Sequence, residues 1–261
     1  MYGVLVLLGL ILLSSLPVII VYFWFRTAKY EFSIYWFLFI LLVGAAAVFP
    51  ALIFQGLLNF SFHHERAAVF YKYFVRIAFT EEFSRLLMLI IFFRIYSRIS
   101  PEKQIIPVPE SERFGGSSYL SFNQIKKATA AGLIAGLGFS LIENAVYAAS
   151  DPDKLALRII ITAAVHGACG ARIGAAAVLL RRAPIQGILR IFTATAIHGV
   201  YNLLVDMSGF SPTVAILIAI SALFSSILTI SGGWSDSAAA VNAAADIVTE
   251  PTAIDKKEDN S

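Results

Sequence analysis

Two adjacent carboxylates and a guanidinium interrupt one of the apolar stretches of this sequence. Glu81, Glu82 and Arg85 lie inside the hydrophobic run of residues 71–93. A charged side chain at the centre of a membrane costs about 2.5 kcal/mol or more, so charges at that depth usually serve a function. These three residues are therefore the first candidates for chemistry.

Three later apolar stretches also carry polar residues of the kinds that activate water. They are Glu143 and Asn144, then His166, and then His198 and Asn202. At a rise of 1.5 Å per residue, these groups and the glutamate pair fall near the midplane or in the outer half of their predicted helices. Residues that share one level on successive helices are expected to meet in one buried polar pocket.

The positions of Glu81 and Glu82 around the helix axis predict different roles for the two glutamates. Glu81 and Arg85 are four residues apart and can form an ion pair on one face of a helix. Glu82 is turned by about 100° from Glu81, so we expect Glu82 to face the water as the general base. His198 and Asn202 also lie four residues apart and share one face.

The same side chains support two chemical interpretations. A carboxylate can act as general base on water, while histidine and asparagine donors stabilise the oxyanion. Alternatively, His166, His198 and Glu82 could bind a metal ion such as Zn²⁺, which then activates the water. Taken singly, a buried histidine or asparagine can instead be a structural hydrogen-bonding group. The residues alone leave these alternatives open.

Composition indicates a membrane protein with several spans. Hydrophobic residues make up 58% of the chain and charged residues 14%, well below the roughly 25% that is usual in soluble domains. The net charge of +3 is not gathered into one basic stripe, so nothing favours nucleic-acid binding. The single cysteine, Cys169, excludes an intramolecular disulfide and a cysteine-rich metal site.

Seven stretches approach the length of about 20 apolar residues that a membrane-spanning helix needs. We therefore predict an all-α, polytopic helical bundle over residues 1–233, with the site-bearing core at about 71–206. Two Gly-xxx-Gly pairs, one in the fourth stretch and one in the fifth, predict close packing of those two helices. The predicted stretches are 3–25, 32–54, 71–93, 128–149, 155–180, 185–205 and 212–230.

The basic residues at the helix ends predict the orientation. With the amino terminus outside, most arginines and lysines between the spans fall on the cytoplasmic side. The chain is therefore expected to be N-out and C-in. Residues 234–261 are rich in alanine and then charged, which predicts a disordered cytoplasmic tail.

The order of these motifs resembles the PrsW family of intramembrane proteases. That family belongs to a larger group with the CAAX prenyl proteases and the bacteriocin-processing membrane proteases. The resemblance covers roughly residues 80–206 and implies paired catalytic glutamates, two essential histidines and several supporting polar residues. The matching residues are Glu81, Glu82, His166, His198 and Asn202 for catalysis, with Arg85, Glu143 and Asn144 supporting them.

The resemblance implies an endopeptidase in the plasma membrane that cleaves single-pass membrane proteins, such as anti-sigma-factor-like regulators. Either a metal such as zinc or a glutamate alone would activate the water. Two other functions fit the buried carboxylates from the residues themselves. They are a proton- or ion-coupled transporter and a non-catalytic immunity or chaperone protein of the membrane.

Overall fold

A computed structural model describes residues 2–28, 33–99, 122–150, 155–207 and 211–231 of the chain. All the regular secondary structure in these ranges is helical, which confirms the predicted all-α class. The polar segment between the third and fourth predicted spans is shorter than predicted, because its two ends belong to helices that reach Ile99 and begin at Phe122. Its middle, residues 100–121, and the predicted cytoplasmic tail lie outside the described residues.

The helices follow the predicted stretches closely. The second predicted stretch divides into two helices at Ala47, and the third begins with a segment of π-helix. The elements are α1 (Tyr2–Thr27), α2 (Ile34–Ala46), α3 (Val48–Leu57), α4 (Glu65–Phe70), the π segment (Tyr71–Phe79), α5 (Thr80–Ile99), α6 (Phe122–Ser150), α7 (Leu155–Leu179), α8 (Pro184–Asp206) and α9 (Ser211–Ser231).

Among the described residues, five helical spans are long and apolar enough to cross a membrane. They are Ile34–Leu57, Gln124–Tyr147, Ile161–Leu179, Pro184–Asp206 and Pro212–Ser231. The protein is therefore a multi-pass membrane protein. The described apolar part of α1, Leu12–Thr27, is shorter, and the third predicted stretch is rich in charge. The count of seven spans and the N-out orientation stay predictions.

Helices α6 and α7 form the centre of the bundle and approach each other backbone to backbone. Their apolar windows are 72% and 78% buried, against 22% for α8 and 28% for α9. A methyl group placed on Gly132 would lie 2.1 Å from the carbonyl oxygen of Gly170, and one on Gly136 would lie 2.0 Å from that of His166. The small residues therefore allow the close approach that their spacing predicts.

The opposite side of α6 packs just as closely on α2. A methyl group on Gly44 would meet the carbonyl oxygen of Ala135 at 1.9 Å, and one on Gly138 would meet that of Leu41 at 2.1 Å. Helix α6 is therefore held by backbone contact on two sides. These contacts fix the position of α6 relative to α2 and α7.

The π segment leads directly into the glutamate pair and packs against α8. The ring of Phe74 fills the space above Gly199, where an added methyl group would lie 2.5 Å away from it. The hydroxyl of Tyr73 donates a hydrogen bond to Asp206 at the end of α8. π-Helical turns are rare and often occur at functional sites. Here the segment connects the helix of the glutamates to the helix of His198.

Candidate active site

Four helices bring three carboxylates and two histidines into one buried cluster. Glu81 and Glu82 come from α5, Glu143 from α6, His166 from α7 and His198 from α8. Glu82, His166 and His198 are at most 2% exposed. The residues that the sequence places at one depth therefore contact one another in the fold.

Arg85 holds Glu82, and the predicted ion pair between Arg85 and Glu81 is wrong. The guanidinium pairs with the Glu82 carboxylate three residues earlier, and its Nη1 donates to the carbonyl oxygen of His166 at 3.1 Å. Only the backbone carbonyl of Glu81 receives a bond from Arg85, from Nε at 3.4 Å. On a helix, side chains that are three or four residues apart can both meet. Here Arg85 pairs with Glu82, three residues earlier, and in the same conformation it also reaches the His166 carbonyl on α7.

His198 lies between the two glutamates. Its Nδ1 is 2.8 Å from Glu82 Oε1, and its Nε2 is 3.7 Å from Glu81 Oε2. The first distance is a hydrogen bond, and the second exceeds hydrogen-bonding range. One ring nitrogen of His198 is thus held by a carboxylate, while the other faces Glu81.

His166 has a similar arrangement on the neighbouring helix. Its Nε2 is hydrogen-bonded to Glu143, and its Nδ1 is buried without a hydrogen-bond partner in the described part of the chain. The rings of His166 and His198 are nearly perpendicular, with centroids 4.9 Å apart. Both histidines are therefore oriented by a carboxylate and have one nitrogen left for another ligand.

Glu81 is positioned by a residue that the sequence analysis missed. Gln55 of α3 donates from its side-chain Nε2 to Glu81 Oε1 at 3.1 Å, and the backbone carbonyl oxygen of Gln55 accepts from Arg76 Nε at 3.1 Å. The second oxygen, Glu81 Oε2, is buried without a hydrogen bond among the described residues. A single amide near the end of an apolar stretch is the signal that could have identified Gln55.

The two asparagines are placed less directly. Asn144 is buried on α6 and donates to Ser140 Oγ at 3.2 Å. Asn202 is half-buried, one turn after His198. Within the described ranges, neither amide makes a hydrogen bond to the three glutamates or the two histidines. Their functional roles stay predictions.

One set of side chains in the cluster suits a divalent cation. Donor atoms of Glu81, His166 and His198 lie within 4.8 Å of one another, and all three residues are buried. Nitrogen and oxygen ligands of this kind bind Zn²⁺, and metal-binding histidines typically give their other ring nitrogen to a carboxylate. Glu82 and Glu143 occupy that carboxylate position for the two histidines.

The charges and the unpaired atoms of the cluster agree with this fit. The three carboxylates and the single guanidinium of Arg85 leave two formal negative charges when the histidines are neutral. A bound divalent cation would balance them. The unpaired atoms Glu81 Oε2 and His166 Nδ1 would also gain a partner, which buried polar atoms normally have.

In a comparison with known proteins, no curated protein and no solved structure matches the chain. A family model described as PrsW family intramembrane metalloprotease matches residues 33–229, which is most of the chain and includes every residue of the cluster. The chain therefore belongs to the PrsW family of intramembrane metalloproteases and is a multi-pass membrane peptide hydrolase.

Proposed function

We propose that the protein hydrolyses peptide bonds of membrane-anchored proteins with a zinc ion held by Glu81, His166 and His198. The observation that carries this proposal is the paired arrangement of the histidines. Each has one ring nitrogen held by a carboxylate and a second directed away from that carboxylate. This choice of ligands replaces Glu82, which the sequence suggested, by Glu81.

In this proposal Glu82 is a positioning residue and not the water-facing base. Its side chain is fully buried, and both Arg85 and His198 hold its carboxylate. Both partners bind the same oxygen, Oε1, and fix the carboxylate in place, whereas Oε2 is buried without a hydrogen bond among the described residues. The role of Glu82 is to orient His198 and to keep the Nδ1 proton on that ring.

Glu143 is the proposed proton acceptor for the attacking water. Its side chain is 20% exposed, whereas Glu81 is 8% and Glu82 is 0% exposed. Water and substrate therefore reach Glu143 more easily than either of the other carboxylates. As the water oxygen bonds to the peptide carbon, Glu143 takes a proton and then gives it to the leaving nitrogen as the carbon–nitrogen bond breaks.

A bound zinc ion would supply Lewis-acid activation of the water and of the peptide carbonyl. The chain supplies the remaining conditions. The cluster is buried between α5, α6, α7 and α8, so bulk water is limited at the reacting groups. In such surroundings a fixed set of charges acts more strongly than it would in water.

The depth of the site supports a membrane-anchored substrate. His166 is 11 residues from the start of α7, which corresponds to about 17 Å along the helix axis. A loop of a soluble protein would have to enter the membrane to this depth, whereas a transmembrane segment already lies at this level. We propose single-pass membrane proteins of the plasma membrane, such as anti-sigma-factor-like regulators, as substrates.

Metal analysis combined with a cleavage assay tests the proposal. Purified full-length protein is expected to hold one zinc ion and to cleave a tagged single-pass substrate in liposomes. A chelator should remove metal and cleavage together, and added zinc should restore both. A protein that cleaves the substrate fully after its metal has been removed would instead select a glutamate-only mechanism.

A further inference from the structure

A second polar cluster lies at the other end of the same helices. It lines a cleft of about 210 Å³, a volume that includes the open mouth. Two arginines and four hydroxyl side chains face this cleft from four different helices. They are Thr129 on α6, Arg172 on α7, Arg190 on α8, and Ser225, Ser226 and Thr229 on α9.

Arg172 is held entirely by neutral groups. Its Nη1 donates to the carbonyl oxygens of Ala168 and Ala222 and to Ser226 Oγ, at 2.9, 3.3 and 3.0 Å. Its Nη2 donates to Ser225 Oγ at 3.4 Å. No carboxylate in the described part of the chain pairs with it. These bonds fix the guanidinium but leave its charge uncompensated.

Arg190 adds a second positive charge at the mouth of the cleft. Its side chain is exposed, and it forms no ion pair with any described residue. Two guanidinium groups that face one cleft repel each other, and the repulsion is stronger in apolar surroundings than in water. An anion between them would offset this repulsion and accept hydrogen bonds from both.

The cleft lies toward the end of α7 and the start of α8, within reach of the headgroups through the Arg190 side chain. Arg172 lies seven residues before the end of α7, and Arg190 lies six residues after the start of α8. These offsets place both Cα atoms about 10 Å inside the helix ends. Because helices of this length extend only about 35–38 Å and the hydrocarbon core is about 30 Å thick, both Cα atoms lie in the outer part of that core. The exposed side chain of Arg190 can extend from there toward the headgroups. The predicted orientation puts this end on the cytoplasmic side.

We propose that this cleft binds the phosphate group of an anionic phospholipid. Arginine is well suited to phosphate because its planar donors match the spacing of two phosphate oxygens. Arg172 still has Nε and one hydrogen of Nη2 as donors, and Arg190 has its whole guanidinium. The phosphate would lie at the open mouth of the cleft beside Arg190, and the acyl chains would lie along the outer surfaces of α8 and α9.

Lipid binding to the purified, delipidated full-length protein tests this proposal. Native mass spectrometry can follow titration with phosphatidylglycerol and, separately, with phosphatidylcholine. The wild-type protein should bind the first phosphatidylglycerol about tenfold more tightly than phosphatidylcholine. Arg190→Gln should lose most of this preference, as expected when a charge-assisted hydrogen bond is removed.

Arg26→Gln is the matched control, because Arg26 is exposed at the end of α1 on the same predicted side of the membrane. It should keep the full preference. A second arm adds millimolar inorganic phosphate to the lipid-bound protein. Displacement of phosphatidylglycerol would retain the anion site but assign soluble phosphate as its ligand.

Two results would overturn the proposal. One is equal affinity of the wild-type protein for the two lipids. The other is an equal loss of preference in Arg190→Gln and Arg26→Gln, which would indicate a general effect of surface charge. Arg190 is exposed and makes no side-chain hydrogen bond to described residues, so Arg190→Gln should fold like the wild-type protein.

Discussion

The two polar clusters along α7 differ in the sign of the charge that they leave unbalanced. Around His166, three carboxylates face one guanidinium, and two formal negative charges remain. Around Arg172, two guanidinium groups line a cleft without a carboxylate among the described residues. The first cluster suits a divalent cation and the second an anion. In both clusters, the uncompensated charge therefore indicates the class of ligand.

The largest effect on cleavage is expected from a substitution in the first cluster, around His166. His166→Ala should lower cleavage by about 10³-fold or more, because a three-residue ligand set that loses one member holds its metal poorly. Zinc content, measured on the same preparation as the cleavage rate, should fall with it. His63→Ala, in an exposed loop, is the control and should retain both. A full zinc content in His166→Ala would contradict the proposal that the first cluster binds a cation through His166.

Two conservative substitutions should separate the carboxylates within the first cluster. Glu82→Gln should lower zinc affinity by about 10- to 100-fold, as is usual when a residue that orients a metal-binding histidine is changed. Glu143→Gln should lower kcat by a larger factor than zinc affinity, because the amide oxygen can still accept a hydrogen bond from His166 but cannot take a proton. Zinc titration and kcat are measured for both variants. The reverse pattern would restore Glu82 as the base.

Helices α6 and α7 carry residues of both clusters. The contact between these two helices can be disturbed at a residue that belongs to neither cluster. A methyl group on Gly170 would lie 2.4 Å from the carbonyl oxygen of Gly132. Gly170→Ala should therefore force α6 and α7 apart and destabilise the protein by about 1–3 kcal/mol. Thermal unfolding in detergent measures this loss.

Gly56→Ala is the matched control, since nothing lies within 4 Å of an added methyl group there. The unfolding temperature of Gly56→Ala should stay at the wild-type value or rise slightly, because alanine stabilises a helix more than glycine does. Equal losses in the two variants would show that the substitution itself, and not the helix contact, sets the stability.

The smallest effect is expected at the residue that positions Glu81. Gln55→Ala removes one hydrogen bond to the Glu81 carboxylate. A bond of this kind contributes about 1.5 kcal/mol or more, so cleavage should fall by about tenfold while the bundle stays folded. Steady-state kinetics on the liposome-bound substrate measures the change. An unaltered rate would show that Glu81 is positioned without Gln55.

Much of the fold could be predicted from hydrophobic length and pattern. The helical class and the close packing at Gly132 and Gly170 follow from residue size and spacing alone. The π segment could not be predicted, because one extra residue per turn leaves no distinct mark on an apolar stretch. The break at Ala47 likewise interrupts a stretch that is apolar on both sides.

The members of the cluster could be predicted, but their pairing could not. Their common depth brings Glu82, His166 and His198 together, whereas the partner of Arg85 depends on the carbonyl of His166 on another helix. That contact is tertiary and has no signal in local spacing. The contact between Gln55 and Glu81 joins residues 26 apart in sequence, and for the same reason only the fold reveals it.

The backbone contact between α2 and α6 also has a consequence for how the chain is made. Gly44 packs against Ala135, which is synthesised roughly 90 residues later. At about 5–20 residues per second, α2 spends on the order of ten seconds in the membrane before its partner helix arrives. During that interval its small-residue face is open to other helices. A larger residue at Gly44 would therefore reduce the yield of assembled protein during biosynthesis.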